Sequence, residues 1–250
     1  MVTVIAGREL KSLFLSPLAW TILAVVQFIL AWLFLAQLET FTLLAPQLAM
    51  MEGAPGVTDV VVAPVFGNAG VIMLLVAPLI TMRVLAEERR ARTLSLLISA
   101  PVSMTEIVLG KYLGVLAFFL IMLAITALMP LSLALGTELD YGKLAAGLLG
   151  LALLLAAFTA AGVFMSSLTE QPTVAAIGGF GLLLFVWIID WAGGSSGKAG
   201  SVLSELSMLR HYEPLLKGLF DTSDLAYYLL FIVTFLVLAI LRMDADRLPH

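Results

Sequence analysis

Long apolar runs dominate the pattern of hydrophobic and polar positions along the chain. A membrane-spanning helix needs about 20 mainly apolar residues to cross about 30 Å of hydrocarbon. Six runs approach or exceed that length, at 18–38, 68–86, 107–135, 144–168, 174–191 and 225–241. They are continuously apolar rather than alternating, which favours helices over barrel strands. The pattern predicts an all-α polytopic membrane protein with six transmembrane helices, forming a single transmembrane domain over residues 1–250.

The first sixteen residues have a different, amphipathic pattern. Ala6, Leu10, Leu13 and Phe14 share one helical face, and polar side chains lie away from it. Such a helix can lie in the membrane interface. The alternative is a simple extension of the first span, but Pro17 favours a break between the two. The run that follows lacks a small-x-small cleavage site, so we interpret it as a retained span rather than a signal peptide.

The segments between the runs predict loops of unequal length. Residues 39–67 form an outside loop whose apolar stretch, 60–66, is a re-entrant or interfacial piece or the start of the second span. The third run is overlong and is expected to tilt or to bend at Pro130. Residues 192–224 form the longest outside loop, which begins with a run of Gly and Ser.

Composition agrees with lipid as the solvent. Hydrophobic residues make up 62% of the 250 positions and charged residues only 12%, about half the charge of a soluble domain. There is no cysteine, which excludes disulfides and thiolate metal sites, and the two histidines are too far apart in sequence to suggest a metal site.

The distribution of Lys and Arg predicts the orientation. Nine of the thirteen lie in three segments, namely the N-terminus, the loop between spans two and three, and the C-terminus. The four others are Lys143, Lys198, Arg210 and Lys217. Because basic loops stay in the cytoplasm, we expect both termini and the 83–111 loop to be cytoplasmic.

The most informative segment is 87–114. A charged cluster at 87–92 is followed by a short amphipathic helix at 93–99, which places Leu94, Leu97 and Ile98 on one face. Pro101 ends that helix, and Ser103 with Glu106 has the spacing of a capping box for the next one. One interpretation is a basic loop that only fixes topology. The exposed apolar face favours a protein partner instead.

The same segment resembles the cytoplasmic loop of ABC-2 type permeases, the membrane subunits of ATP-binding-cassette transporters. The matching positions are Glu88, Arg89, Thr93, Leu94, Leu96, Leu97, Pro101, Val102, Ser103, Glu106, Ile107, Val108, Gly110 and Lys111. Arg92 and Ser95 depart from the usual glycine and glutamate. The resemblance implies a coupling helix that inserts into a nucleotide-binding subunit. The residues expected to contact that ATPase are Arg89, Arg92, Thr93, Leu94, Leu97, Ile98 and Pro101.

A second resemblance lies before the last span. His211, Tyr212, Glu213, Gly218, Asp221, Asp224, Tyr227 and Tyr228 match a stretch found in a subset of these permeases. That subset includes the gliding-motility-type permease and the permease associated with nitrous oxide reductase maturation. Tyr212, Glu213, Gly218 and Asp224 are therefore expected to form an extracytoplasmic motif.

These resemblances imply an ABC-2, type V exporter-like fold in the bacterial cytoplasmic (inner) membrane. The expected partners are an ABC ATPase subunit dimer and a second permease copy or sister permease. The sequence has no Walker-type glycine loop, so ATP and Mg are expected in the partner ATPase, with no cofactor and no enzyme activity in this chain. No nucleic-acid partner is expected.

Three functions remain open on the sequence. The first is transport, of the export type by resemblance, driven by the partner ATPase. The second is a mechanotransmitting ABC subunit that drives an extracytoplasmic accessory protein without conventional transport. The third is a membrane scaffold or channel with no ATPase.

Polar residues inside the spans are scarce. Gln27 and Gln37 in the first span are the candidates for a translocation path, with helix packing as the alternative role. The near-absence of buried charge argues against an ion-driven secondary transporter and an intramembrane protease. Ala152, Ala156 and Ala160 repeat every four residues in span four, which allows close helix approach.

Overall fold

The computed structural model describes residues 1–48, 50, 54–91, 103–193 and 205–245, and the side chains of 190–193 are outside that description. Within these residues, six helices are long and apolar enough to cross a membrane. They are Pro17–Leu48, Thr58–Arg90, Met104–Leu135, Tyr141–Leu168, Pro172–Ile189 and Thr222–Ala245. The chain is therefore an all-helical, multi-pass membrane protein, as the apolar runs predict.

Nine α-helices follow one another along the described residues. They are α1 (Val2–Leu15), α2 (Pro17–Leu48), α3 (Ala63–Thr81), α4 (Ala86–Arg90), α5 (Met104–Ser132), α6 (Tyr141–Leu168), α7 (Pro172–Gly193), α8 (Met208–Leu216) and α9 (Thr222–Ala245). A π-helical turn, Thr58–Val62, leads directly into α3, and a 3₁₀ turn, Leu133–Leu135, follows α5.

The predicted outside loop at 39–67 is mostly helical, which corrects the sequence interpretation. α2 continues to Leu48, and the next helix begins at Thr58, so the stretch 60–66 is the start of the second span. Polar residues do not stop α2, because its threonine hydroxyls bond back to the helix: Thr40 donates to the carbonyl of Ala36 at 2.9 Å. At 32 residues α2 is about 48 Å long, more than the hydrocarbon core requires.

The third span is one continuous helix across most of its predicted length. α5 begins at Met104, three residues before the predicted start, because Ser103 caps it there. Pro130 lies in the last turn of the helix, where little helix follows it, and the expected tilt or bend stays a prediction.

α6 lies at the centre of the bundle and packs against α3, α5, α7, α8 and α9. Its small residues allow this: Ala157, Ala160 and Ala161 are fully buried. A Cβ atom at Gly147 would lie 2.8 Å from the ring of Phe66, so only glycine permits that approach. The small-residue pattern of span four thus marks the helix with the most neighbours.

α1 is a separate helix that packs along the first turns of α5. The chain becomes extended at Ser16 and re-enters a helix at Pro17, as the proline predicts. Gly110 and Gly114, four residues apart on α5, form the contact surface: a Cβ at Gly110 would lie 2.6 Å from Ile5 Cβ, and one at Gly114 2.8 Å from the carbonyl oxygen of Ala6. This close backbone approach docks the amphipathic face of α1 onto span three.

The three basic segments meet at one end of the bundle. α1 contacts the start of α5, and Arg89 in α4 contacts Met243 near the end of α9. We call this the basic end. The end that carries α8, the start of α6 and Asp59 is called the opposite end.

Candidate functional site

A buried lysine joins three helices at the basic end. Lys111 in α5 is 4% exposed, and its Nζ lies 3.1 Å from Glu9 Oε2 in α1 and 2.8 Å from Glu88 Oε1 in α4. A buried ammonium group is tolerated when carboxylates pair with it. The Lys111 cluster, which we define as Glu9, Glu88 and Lys111, therefore ties α1, the start of the 87–111 segment and span three to one another.

The turn between α3 and α4 is held by a serine of α6. Ser166 Oγ accepts hydrogen bonds from the backbone N–H groups of Leu85 and Ala86, both at 3.0 Å, and donates to the carbonyl oxygen of Met82 at 3.0 Å. Ser166 is fully buried, so these groups have no water as a substitute. The central helix thereby fixes the direction in which the chain leaves span two.

Arg89 is the one predicted ATPase-contact residue among the described positions. Its Nη2 lies 3.3 Å from the sulfur of Met243 in α9, and the side chain is half-buried. The remaining predicted contact residues, Arg92, Thr93, Leu94, Leu97, Ile98 and Pro101, lie outside the described residues.

The next described residue after Ala91 is Ser103, which forms a capping box at the start of α5. Ser103 Oγ accepts from the N–H of Glu106 at 3.1 Å, and the carboxylate of Glu106 accepts from the N–H of Ser103 at 3.1 Å. Both bonds predicted from the S-x-x-E spacing are present. The 92–102 segment therefore joins two fixed points, the turn held by Ser166 and the capped start of α5.

A cavity of about 900 Å³ opens beside α4 at the basic end. Its walls are the end of α3, α4, and the turn between α6 and α7, with the lining residues Met82, Arg83, Glu87, Arg90, Ala91, Glu170, Gln171, Pro172 and Thr173. The concave surface carries both charge signs.

Gln27 bridges span one to span three. Its Nε2 donates to the carbonyl oxygen of Met122 at 2.9 Å and to Thr126 Oγ1 at 3.0 Å. These bonds are what a helix-packing role predicts. Gln37, the second candidate for a translocation path, is half-buried near the far part of α2. The translocation role of both residues stays a prediction.

At the opposite end, the predicted motif folds into a cap over the spans. Tyr212 in α8 is fully buried and its hydroxyl donates to the carbonyl oxygen of Phe66 in α3 at 2.8 Å. Burial raises the pKa of this phenol, so it stays a hydrogen-bond donor. Gly218 ends the cap with φ +78°, and a Cβ there would lie 2.6 Å from Lys143 Cγ, so the position needs glycine.

Asp224 pairs with a histidine that the motif places thirteen residues earlier. His211 Nδ1 lies 2.7 Å from Asp224 Oδ1, and Nε2 lies 3.0 Å from the carbonyl oxygen of Glu205. A neutral imidazole has one N–H, but both ring nitrogens here face acceptors. Tyr227 stacks on the imidazole with ring centroids 4.1 Å apart.

Glu213 lies on the exposed side of α8, with Lys217 Nζ 3.9 Å from its Oε2. Both residues line a cavity of about 430 Å³ that also includes Asn68 of α3. Nearby, a hydrogen bond from the backbone N–H of Ser223 lowers the pKa of Asp221. Glu213 is thus separate from the buried contacts of Tyr212 and Asp224.

Three functional contacts were not anticipated from the sequence: Glu9 and Glu88 as partners of Lys111, and Ser166 as the anchor of the α3–α4 turn. A polar Ser166–Ser167 pair in an apolar span was a usable signal for the latter. The carboxylates gave none, because their partner lies on another helix. In the described part of the chain, no three His, Cys, Asp or Glu residues could hold a metal ion.

The architecture and the site define a class of protein: a six-span helical membrane protein with a charged, anchored segment between spans two and three. The sequence model of the ABC-2 family transporter protein family matches residues 36–194, from within α2 to the end of α7. The match covers well over half of the chain, and the protein belongs to this family. No curated protein matches the chain. Family membership makes it a permease subunit of an ABC transporter and implies an ABC ATPase as a partner in general.

Proposed function

We propose that this permease couples ATP hydrolysis by a separate ATPase subunit dimer to movement of its spans, and that the basic end faces the cytoplasm. The proposed contact surface for the ATPase consists of Arg89, Arg92, Thr93, Leu94, Leu97, Ile98 and Pro101 in the 87–111 segment. ATP and Mg would be bound by the ATPase. This assignment is supported by the family match and by the concentration of Lys and Arg at that end.

The observation that carries the proposal is the Lys111 cluster. Lys111 links Glu88, at the start of the 87–111 segment, to α1 and to the start of span three. A displacement of the segment would therefore move α1 and α5 together, because separating them would expose a buried charge. Ser166 extends the same connection to the central helix α6.

The route for substrate is proposed at an interface between two permeases, either two copies of this chain or this chain and a sister permease, with export as the direction. Gln27 and Gln37 remain candidates to line it. Since Gln27 is bonded to α5, we expect it to follow the movement of span three.

Mechanotransmission to an extracytoplasmic accessory protein is a second candidate, favoured by one observation. Tyr212 bonds the backbone of α3 directly, so α8 at the opposite end is attached to the same span that leads into the 87–111 segment. Movement of span two would then displace the surface that carries Glu213. The resemblance of 210–228 to the gliding-motility-type and nitrous-oxide-reductase-maturation subset supports this candidate.

A Lys111→Met variant tests the coupling. The permease is co-expressed with its ATPase, purified as the complex, reconstituted in vesicles, and assayed for ATP hydrolysis and for cargo movement. We expect the complex to assemble but to lose the dependence of hydrolysis on cargo. Lys143→Met is the matched control, since Lys143 pairs with Asp59 at 2.7 Å but lies at the opposite end.

Two results would contradict the proposal. One is unchanged coupling in Lys111→Met, and the other is a purified permease that binds no ATPase at all. The second candidate is distinguished by an extracytoplasmic protein that co-purifies and changes ATP hydrolysis in vesicles that contain no cargo.

A further inference from the structure

A second cavity at the basic end lies between α1 and the junction of α3 and α4. It measures about 340 Å³, near the lower limit for a site that encloses a small organic ligand. Its walls come from α1, the first residues of α2, the end of α3, and α4. We call it the headgroup cleft, and define it by Arg8, Leu18, Leu79, Arg83 and Glu87.

The headgroup cleft lies beside the start of span one. Trp20, one turn into α2, is 55% exposed, and its indole N–H donates to the carbonyl oxygen of Phe14 at 2.8 Å. Tryptophans of spanning helices are enriched at the level of lipid headgroups, which favours that depth for the start of α2. Leu18 and Leu79 line the cleft and are themselves exposed, at 37% and 45%. The apolar rim therefore continues into the lipid-facing surface.

The charges inside the cleft are of both signs. Glu9, Glu88 and Lys111 also line it but pair with one another. Arg8, Arg83 and Glu87 are exposed and form no ion pair within the described residues. The cleft thus offers two guanidinium groups and one carboxylate to a ligand.

This combination selects among lipid headgroups. Guanidinium groups bind phosphate oxygens with two parallel hydrogen bonds. A carboxylate binds a primary ammonium, which has three N–H donors, better than a trimethylammonium, which has none. It repels a headgroup that is only anionic. A phosphoethanolamine headgroup carries a phosphate and a primary ammonium together.

We propose that the headgroup cleft binds one phospholipid with an ethanolamine headgroup, its phosphate on Arg8 and Arg83 and its ammonium on Glu87. The acyl chains leave the cleft over Leu18 and Leu79. The bound lipid bridges α1 to the α3–α4 junction, which are the elements that the Lys111 cluster also joins. The binding itself is independent of the ATPase.

Native mass spectrometry of the purified full chain tests this proposal. The protein is titrated in detergent with phosphatidylethanolamine, phosphatidylcholine and phosphatidylglycerol that have the same acyl chains. We expect one retained ethanolamine lipid per chain. Arg8→Gln with Arg83→Gln lowers its affinity about tenfold or more, and Glu87→Gln removes the preference over phosphatidylglycerol. Lys11→Gln is the control, since Lys11 is an exposed base on α1 that does not line the cleft.

Equal retention of the three lipids would overturn the proposal, as would a preference of the natural protein for phosphatidylglycerol. A loss of affinity in Lys11→Gln equal to that in the double arginine variant would also overturn it. Soluble glycerophosphoethanolamine is added as a competitor in a separate arm. We expect millimolar concentrations to leave the lipid bound, because the acyl chains contribute; full displacement would indicate a soluble ligand instead. Size-exclusion profiles of the variants, whose altered side chains are all exposed, establish that each is folded.

Discussion

Lys111→Met is predicted to release α1 from the bundle. The variant keeps most of the apolar stem of the lysine but removes the ammonium group that Glu9 and Glu88 share. Two carboxylates then face each other without a cation between them. Because the only covalent link of α1 to the bundle is through the extended residue Ser16, α1 is the element that can move away.

The size of the effect follows from the geometry of the cluster. At an effective dielectric constant of about 20, unit charges at 2.8–3.1 Å attract by roughly 5–6 kcal/mol before desolvation is subtracted. Breaking a buried pair costs about 3–5 kcal/mol net. The side chains of Glu9 and Glu88 are 19% and 23% exposed and recover some hydration. We therefore expect a cost at the lower end of that range, about 3 kcal/mol. About 3 kcal/mol shifts the docking equilibrium of α1 by roughly 100-fold.

Cysteine labelling measures that equilibrium directly. The natural chain has no cysteine, so Ile5→Cys introduces the single reactive thiol of the protein, at a half-buried position that packs against α5. Its rate of reaction with a maleimide reports how often α1 is undocked. We expect the rate to rise by up to about 100-fold when Lys111→Met is added.

Matched variants separate this effect from general unfolding. Lys143→Met removes an ion pair at the opposite end and should leave the labelling rate unchanged. Lys111→Arg retains the charge and should restore most of the protection. A labelling rate in Lys111→Met within twofold of the parent would refute the reasoning, because the other contacts of α1 would then be enough to hold it.

Three further predictions concern neighbouring contacts. Gly114→Val places a side chain where α1 already fills the space, at a cost of about 2 kcal/mol, and should raise the labelling rate of Ile5→Cys. Gly7→Ala has open space around it and should leave that rate unchanged. Equal rates in the two variants would contradict the close approach of α1 to α5. Ser166→Ala leaves two buried N–H groups unpaired, at a cost of about 2 kcal/mol, so the melting temperature of the protein should fall by roughly 4–8 °C. Ser132→Ala, on the exposed end of α5, should leave the melting temperature unchanged. Folding lowers the pKa of Asp221, so its stabilising contribution is complete above the ordinary value of 3.8 and is lost as the pH falls through the lowered value. Asp221→Asn should therefore flatten the acid limb of a stability–pH curve, and an unaltered limb would show that the Ser223 bond does not matter.

The sequence by itself was sufficient for the number of spans and for the local signals at their ends. Six apolar runs correspond to the six spanning helices, because a bilayer requires every span to be long, apolar and internally hydrogen-bonded. The capping box of Ser103 and Glu106 and the break at Pro17 are also local, since each depends on residues within one turn. Helix ends in the 39–67 region were not recoverable, because polar residues can extend a helix beyond the hydrocarbon.

Contacts between distant segments were decided only by the tertiary structure. Lys111 was recognised from its position in the motif, but the carboxylates that pair with it are distant in sequence. Glu9 lies 102 positions earlier, in α1, and Glu88 lies in α4, on the other side of the 92–102 segment. Ser166 and Leu85 are 81 positions apart. Periodicity along one helix cannot show which face of which neighbour it meets.

The same division applies to the two ends of the molecule. Charge counts along the sequence predicted that three basic segments share one side, and the bundle brings them to one end because an even number of spans returns the chain there. The docking of α1 on Gly110 and Gly114, the cap held by Tyr212 and the cleft between Arg8 and Arg83 depend on the tertiary structure. The sequence determined what each segment could do alone in a membrane; packing determined which side chains meet, because burial couples residues that the chain order leaves far apart.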